Sequence, residues 1–126
     1  MKLTILPNKF AVCRLDPDRG FPNWAFNAIF YSITASEDEL SVVTLENQIP
    51  LGIKSEPDWR VIKVIGPLDF SLTGVLSSIA EPLAEVDVSI FALSTFDTDY
   101  ILVKHDDLEY AKEVLINRGF NFVEKR

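Results

Sequence analysis

Trp59-Arg-Val-Ile-Lys-Val-Ile-Gly-Pro-Leu-Asp-Phe-Ser-Leu-Thr-Gly-Val75 passes from an apolar strand through a bend into a helix. Residues 59–65 are rich in β-branched side chains and apolar on both faces, as a central strand is. Gly66-Pro67 ends that strand. From Ser71 the period changes: Leu72, Val75, Leu76, Ile79 and Leu83 recur at three- and four-residue steps, the stripe of a helix buried on one side. Asp69 or Ser71 is the expected cap, accepting from a free N–H of the first turn. Pro82 removes a donor and crowds the turn before it, so a kink or an early helix end is expected there.

Two further apolar runs follow, Val88–Phe96 and Asp99–Lys104, with the polar turn Asp97-Thr98 between them, which is a hairpin pattern. Asp106-Asp-Leu-Glu109 has the spacing of a capping box. The helix it opens turns Leu108, Ala111, Val114 and Leu115 inward and stops at Gly119, where positive φ costs little. Asn121–Val123 supplies a last short strand. The order is βαββαβ: an α+β, ferredoxin-like sheet with two helices on one face and its other face expected open to a partner.

The N-terminal half repeats this order in shorter form. Displaced by the 60 residues that separate Ile33 from Leu93, Ile33–Val43 overlays Leu93–Val103, with apolar, hydroxyl and acidic positions largely matched. Phe10–Leu15 is its expected opening strand and Pro22–Ile29 a short helix. Pro50, Gly52 and Pro57 mark a junction within Glu46–Asp58. The expected organisation is an abbreviated module over residues 1–56 and a fuller one over 57–126.

Composition narrows the function. The chain has 126 residues, 48% of them hydrophobic, enough to bury a core. Lys and Arg number 12 against 19 Asp and Glu, a net charge of −7, and no basic cluster is present. Such a chain repels phosphate backbones, so no nucleic-acid partner is expected. No apolar run is long enough to span a bilayer, and Met1–Leu6 is too brief for the apolar region of a signal peptide. Cys13 is the only cysteine, which excludes an internal disulfide and favours a reducing cytoplasm.

The stretches Glu39–Val43, Trp59-Arg60, Gly66–Val75 and Ser89–Val103 together resemble the ACT-domain family of small-molecule sensors. Within it, the chain is similar to the tandem-ACT subgroup related to cytosolic arginine sensors. The resemblance extends over essentially the whole chain and is strongest over residues 59–104. It implies two ferredoxin-like modules in tandem that pair side by side and bind an amino acid at the seam between modules. It also implies a non-catalytic regulator, with a homodimer as the expected assembly. Carried onto this sequence, the ligand residues implied are Asp69, Leu72, Gly74 and Val75 from the bend, with Thr95, Phe96 and Asp99 from the hairpin. Gly74 permits close backbone approach, and a helix N-terminus favours a ligand carboxylate. Asp69 or Asp99 can pair with an ammonium or guanidinium group. Leu72 departs from what a cation sensor would carry there.

Each of these residues also has a plainer reading. Gly74 can serve helix–sheet packing, Asp99 turn chemistry, Phe96 the core and Asp69 a cap. The alternative to a sensor is a ligand-free interaction module that docks to a partner enzyme. No catalytic residues are expected: Cys13 and His105 fall in different halves and nothing in their spacing joins them. One His, one Cys and no paired cysteines leave too few soft ligands for zinc, and no cofactor is implied. Other βαββαβ functions lack their residues here. An RNA-binding sheet needs exposed aromatics with basic flanks, an acyl-phosphate hydrolase needs an arginine in Gly66–Gly74, and a metal chaperone needs two cysteines there.

Overall fold

The computed structural model describes residues 1–68 and 74–124. Its strands are β1 (Lys2–Ile5), β2 (Phe10–Leu15), β3 (Ser32–Ala35), β4 (Leu40–Leu45), β5 (Lys54–Val64), β6 (Ile90–Ser94), β7 (Asp99–Lys104) and β8 (Asn121–Phe122). The α-helices are α1 (Val75–Glu85) and α2 (Leu108–Asn117), with 3-10 turns at Asn23–Ala25, Glu46–Gln48 and His105–Asp107. Two compact units result: Met1–Leu6 with Arg60–Arg126, and Pro7–Trp59. β5 is divided between them.

In the unit built on residues 60 onward the strand order is β6-β7-β5-β1-β8. Read in chain order from β5, this is the ferredoxin-like arrangement with one strand added. β1 lies antiparallel to β5, with Leu3 opposite Val64, and parallel to β8. The sequence reading assigns no strand to Met1–Leu6. The structure makes one because Leu3 is fully buried with Ile62, Val64, Ile101 and Val103 beneath the helices, and Ile5 packs against the same cluster. Ile79 and Leu83 of α1 and Leu108, Ala111 and Leu115 of α2 close that core, at the periodic positions expected.

Four expectations for this unit are corrected. The helix does not end at Pro82. It continues to Glu85, with the proline ring buried beside Ile79 and Leu83, and closes where Asp87 turns left-handed at φ 61°. The capping box does not form: residues 105–107 make a 3-10 turn, and α2 opens at Leu108 without a side-chain cap bond. The opening strand begins at Lys54 rather than near Trp59. The second sheet face is not open at its centre either, since Val61 and Leu102, which alternate away from the helices, are fully buried. Toward the end of that face Lys63 and Tyr100 are half-exposed, with the ammonium 5.8 Å from the ring centroid.

The unit of residues 7–59 has the order β3-β4-β2-β5. Its elements follow the same sequence of strand, turn, hairpin, turn, strand, with 3-10 turns standing where helices stand in the other unit. Its core includes Cys13, Leu15, Ala25, Leu40 and Val42. The helix expected over Pro22–Ile29 shrinks to Asn23–Ala25. Asn27 is the reason. Its Oδ1 accepts from the N–H groups of Ile29 and Phe30 at 2.7 and 2.8 Å. Its Nδ2 donates to the Phe30 carbonyl and to Thr44 Oγ1. A side chain that takes up local backbone donors in this way competes directly with the helix ladder.

Candidate functional site

The bend after β5 and the β6–β7 hairpin meet at their backbones. The N–H of Leu68 donates to the Asp97 carbonyl at 2.7 Å. Thr98, buried at the turn, donates from Oγ1 to the Val64 carbonyl at 2.7 Å. The fit requires glycine at 66: a Cβ there would stand 2.9 Å from the Asp97 carbonyl oxygen and 3.2 Å from Thr98 Cβ. The β-branched, two-sided run of β5 sets a central strand, and its exit at Gly66 packs against the hairpin turn.

The hairpin turn is held internally. The Thr95 N–H and hydroxyl both donate to the Thr98 carbonyl, at 2.8 and 3.1 Å. Ser94 donates to Asp99 Oδ1 at 2.6 Å, fixing that half-buried carboxylate at the root of the turn. Phe96 stands 79% exposed at the tip. Burial, and then the nearby Asp97 carboxylate, push the Tyr100 hydroxyl above its ordinary pKa.

α1 begins behind Gly74, which is left-handed at φ 77°, and among the described residues no side chain caps the helix; the expected caps Asp69 and Ser71 lie outside them. Among the described residues a Cβ at Gly74 would meet only Ser77 Oγ, at 3.7 Å, and the positive φ itself calls for glycine here. The start of α1 therefore presents backbone donors and the positive end of the helix dipole.

Of the residues singled out in the sequence, Thr95, Phe96 and Asp99 lie together on the hairpin, and Gly74 and Val75 open α1. Val75 packs partly against the core, as its place in the helical stripe leads one to expect. Asp69 and Leu72 lie outside the described residues. Among the described residues the contact between bend and hairpin is made by Gly66, Leu68, Asp97 and Thr98, none of them in the expected set. A glycine directly after a buried strand was the available signal for Gly66, whereas nothing in the sequence marks Thr98 as buried. Cys13 sits in the core of its unit, and burial pushes its thiol up to about 11. His105 is exposed, with Nδ1 3.4 Å from the Arg60 guanidinium. Among the described residues no three His, Cys, Asp or Glu side chains are grouped to hold a metal ion. The donors of a helix start can take a ligand carboxylate, and the held Asp99 carboxylate can take an ammonium group.

Comparison with known proteins agrees with this architecture. The family model described as an ACT domain matches residues 54–117, and one described as an N-terminal domain matches residues 8–52. The cytosolic arginine sensor for mTORC1 subunit 1 of Rattus norvegicus is 34% identical over 98 residues, which are 77% of this chain and 30% of the sensor. This chain thus spans under a third of that relative's length. A crystal structure of a protein from Agobacterium tumefaciens superposes with a TM-score of 0.92 at 38% identity, covering 99% of this chain and 93% of that one. Aspartate kinase of Clostridium acetobutylicum shares the fold, with a TM-score of 0.68 at 16% identity over 92% of this chain and 34% of the kinase.

Proposed function

The chain belongs to the ACT-domain family, and on that premise we propose that it is a non-catalytic regulator binding an amino acid or a similar small polar metabolite. The observation that carries the proposal is the 2.7 Å bond from Leu68 N–H to the Asp97 carbonyl. It ties the exit of β5, six residues before Gly74 and the start of α1, to a turn bearing Asp97 and Asp99. The helix start offers donors to a ligand carboxylate, and the turn offers acceptors to its ammonium group. Asp69 and Leu72 complete the proposed set with Gly74, Val75, Thr95, Phe96 and Asp99. A second copy supplies the facing module, so that the ligand lies at a seam between ACT modules of a homodimer.

The relatives named as cytosolic arginine sensors support an amino-acid ligand and a cytoplasmic setting. No helix among the described residues is long and apolar enough to cross a membrane. Regulation follows from linkage: a ligand that prefers the paired arrangement shifts the pairing equilibrium by its difference in affinity.

Thermal unfolding in the presence of each of the twenty amino acids at millimolar concentration tests this. A ligand held at a hundred times its Kd stabilises by about 2.7 kcal/mol, a rise of several degrees in Tm. The rise shrinks in Asp99→Asn. No shift with any amino acid overturns the amino-acid reading and favours a ligand-free docking module.

A further inference from the structure

A second surface lies on the unit of residues 7–59. Phe21, Phe26 and Tyr31 are 60%, 49% and 40% exposed, yet they are packed on one another. Phe21 and Phe26 meet edge to face at 5.6 Å between centroids, and Phe26 and Tyr31 at 5.1 Å. Three exposed aromatics in contact form a continuous apolar pad, unlike singly scattered surface hydrophobes. The Asn27 network fixes the backbone between them, so the pad is built into the fold.

Tyr31 leads directly into β3, the terminal strand of its unit, which pairs with β4. Thr34 and Ala35 of β3 are exposed. At the far end, Ser36 Oγ accepts from the N–H groups of Asp38 and Glu39 at 3.3 and 3.2 Å, setting Glu37, Asp38 and Glu39 in an exposed turn. From Phe21 through Glu39 the sequence contains no lysine or arginine. The guanidinium that reaches this turn, from Arg14, is shared between the Asp38 carbonyl and the Asp16 carboxylate. An aromatic pad, a terminal strand and an acidic turn therefore follow one another along a single edge.

We infer that this edge docks an extended peptide of a partner protein that carries lysine or arginine at one end and an aromatic or proline at the other. The peptide adds as a strand beside β3, where main-chain bonds give affinity and the two ends give direction. The four residues of β3 span roughly 13 Å, so a peptide paired along them reaches both the pad and the turn. Charge selects this occupant over a second copy of the chain. In a symmetric antiparallel β3–β3 pair each acidic turn would face the other copy's aromatic pad, and each copy would bring a net charge of −7. The inference does not rest on the amino-acid site.

The test is selection of nine-residue peptides from a random phage-displayed library on the intact chain, followed by fluorescence anisotropy with the labelled winners. The expected winners carry Lys or Arg beside an aromatic or proline. Their affinity should fall about tenfold in Phe21→Ser and in the double variant Glu37→Lys, Glu39→Lys, and weaken with added salt. All three positions are exposed, and unchanged thermal unfolding of the variants separates lost docking from lost folding. Three outcomes overturn the inference: no enrichment, winners without basic residues, or winners indifferent to both variants. Dimerisation in sedimentation that disappears in Phe21→Ser also overturns it, in favour of a second copy.

Discussion

Cys13 is fully enclosed among Leu15, Ala25, Leu40 and Val42, and burial pushes its thiol from an ordinary 9.0 up to about 11. A folded-state value raised in this way favours the native state while the thiol is neutral. The stabilisation is complete below pH 9 and is lost as pH rises through 11, on the order of 2–3 kcal/mol in all. Tyr100 adds in the same direction above pH 10, since its pKa is also raised. Urea denaturation at pH 7, 9 and 10.5 should show the midpoint falling only over the alkaline interval. A disulfide reagent at pH 8 should label Cys13 slowly in buffer and at once in urea; rapid native labelling would contradict the burial. At this scale the sequence was legible for Cys13, a small apolar thiol on an apolar strand. It was not for Asn27, whose bond to Thr44 depends on where β4 lies.

At the scale of elements, the N-terminal strand is the departure with the clearest consequence. Leu3 stands at the start of the chain yet packs with residues from 62 to 120, so its loss should be felt by the unit that contains α1 and α2. Leu3→Ala should cost about 2–5 kcal/mol in chemical denaturation, the usual range for emptying a buried leucine site. Accelerated amide exchange should appear in β5, which β1 pairs through Leu3, Thr4 and Ile5. A change confined to residues 7–59 would refute the strand assignment. The hairpin β6–β7 and both helices were legible because hydrophobic period and turn residues act locally. The place of β1 was not: four residues carry too little pattern, and only the gap between β5 and β8 makes use of them.

The whole molecule consists of two ferredoxin-like orders, one with helices and one with 3-10 turns, in a chain that spans under a third of its arginine-sensor relatives. If an amino acid is held at a seam between copies, ligand and association must be linked in both directions. Sedimentation velocity across a concentration series should therefore show a tighter dimer with the amino acid that raises Tm than without it. Equal association with and without that ligand would separate binding from assembly and remove the seam from the proposal. The peptide surface on β3 makes no such demand, so the two readings stand or fall separately.

The sequence by itself determined the α+β class, the βαββαβ order of the C-terminal half, its echo in the N-terminal half and the hairpin that carries Thr95, Phe96 and Asp99. All of these rest on residue spacing, which acts within a few turns of chain. Tertiary structure alone decided that Gly66 and Leu68 press against Asp97 and Thr98, that β1 joins the sheet beside β5, and that an aromatic pad and an acidic turn share one edge. Those features join residues far apart in the chain or depend on which side chains remain uncovered. Spacing does not record either, because close packing is settled only when every element is in place.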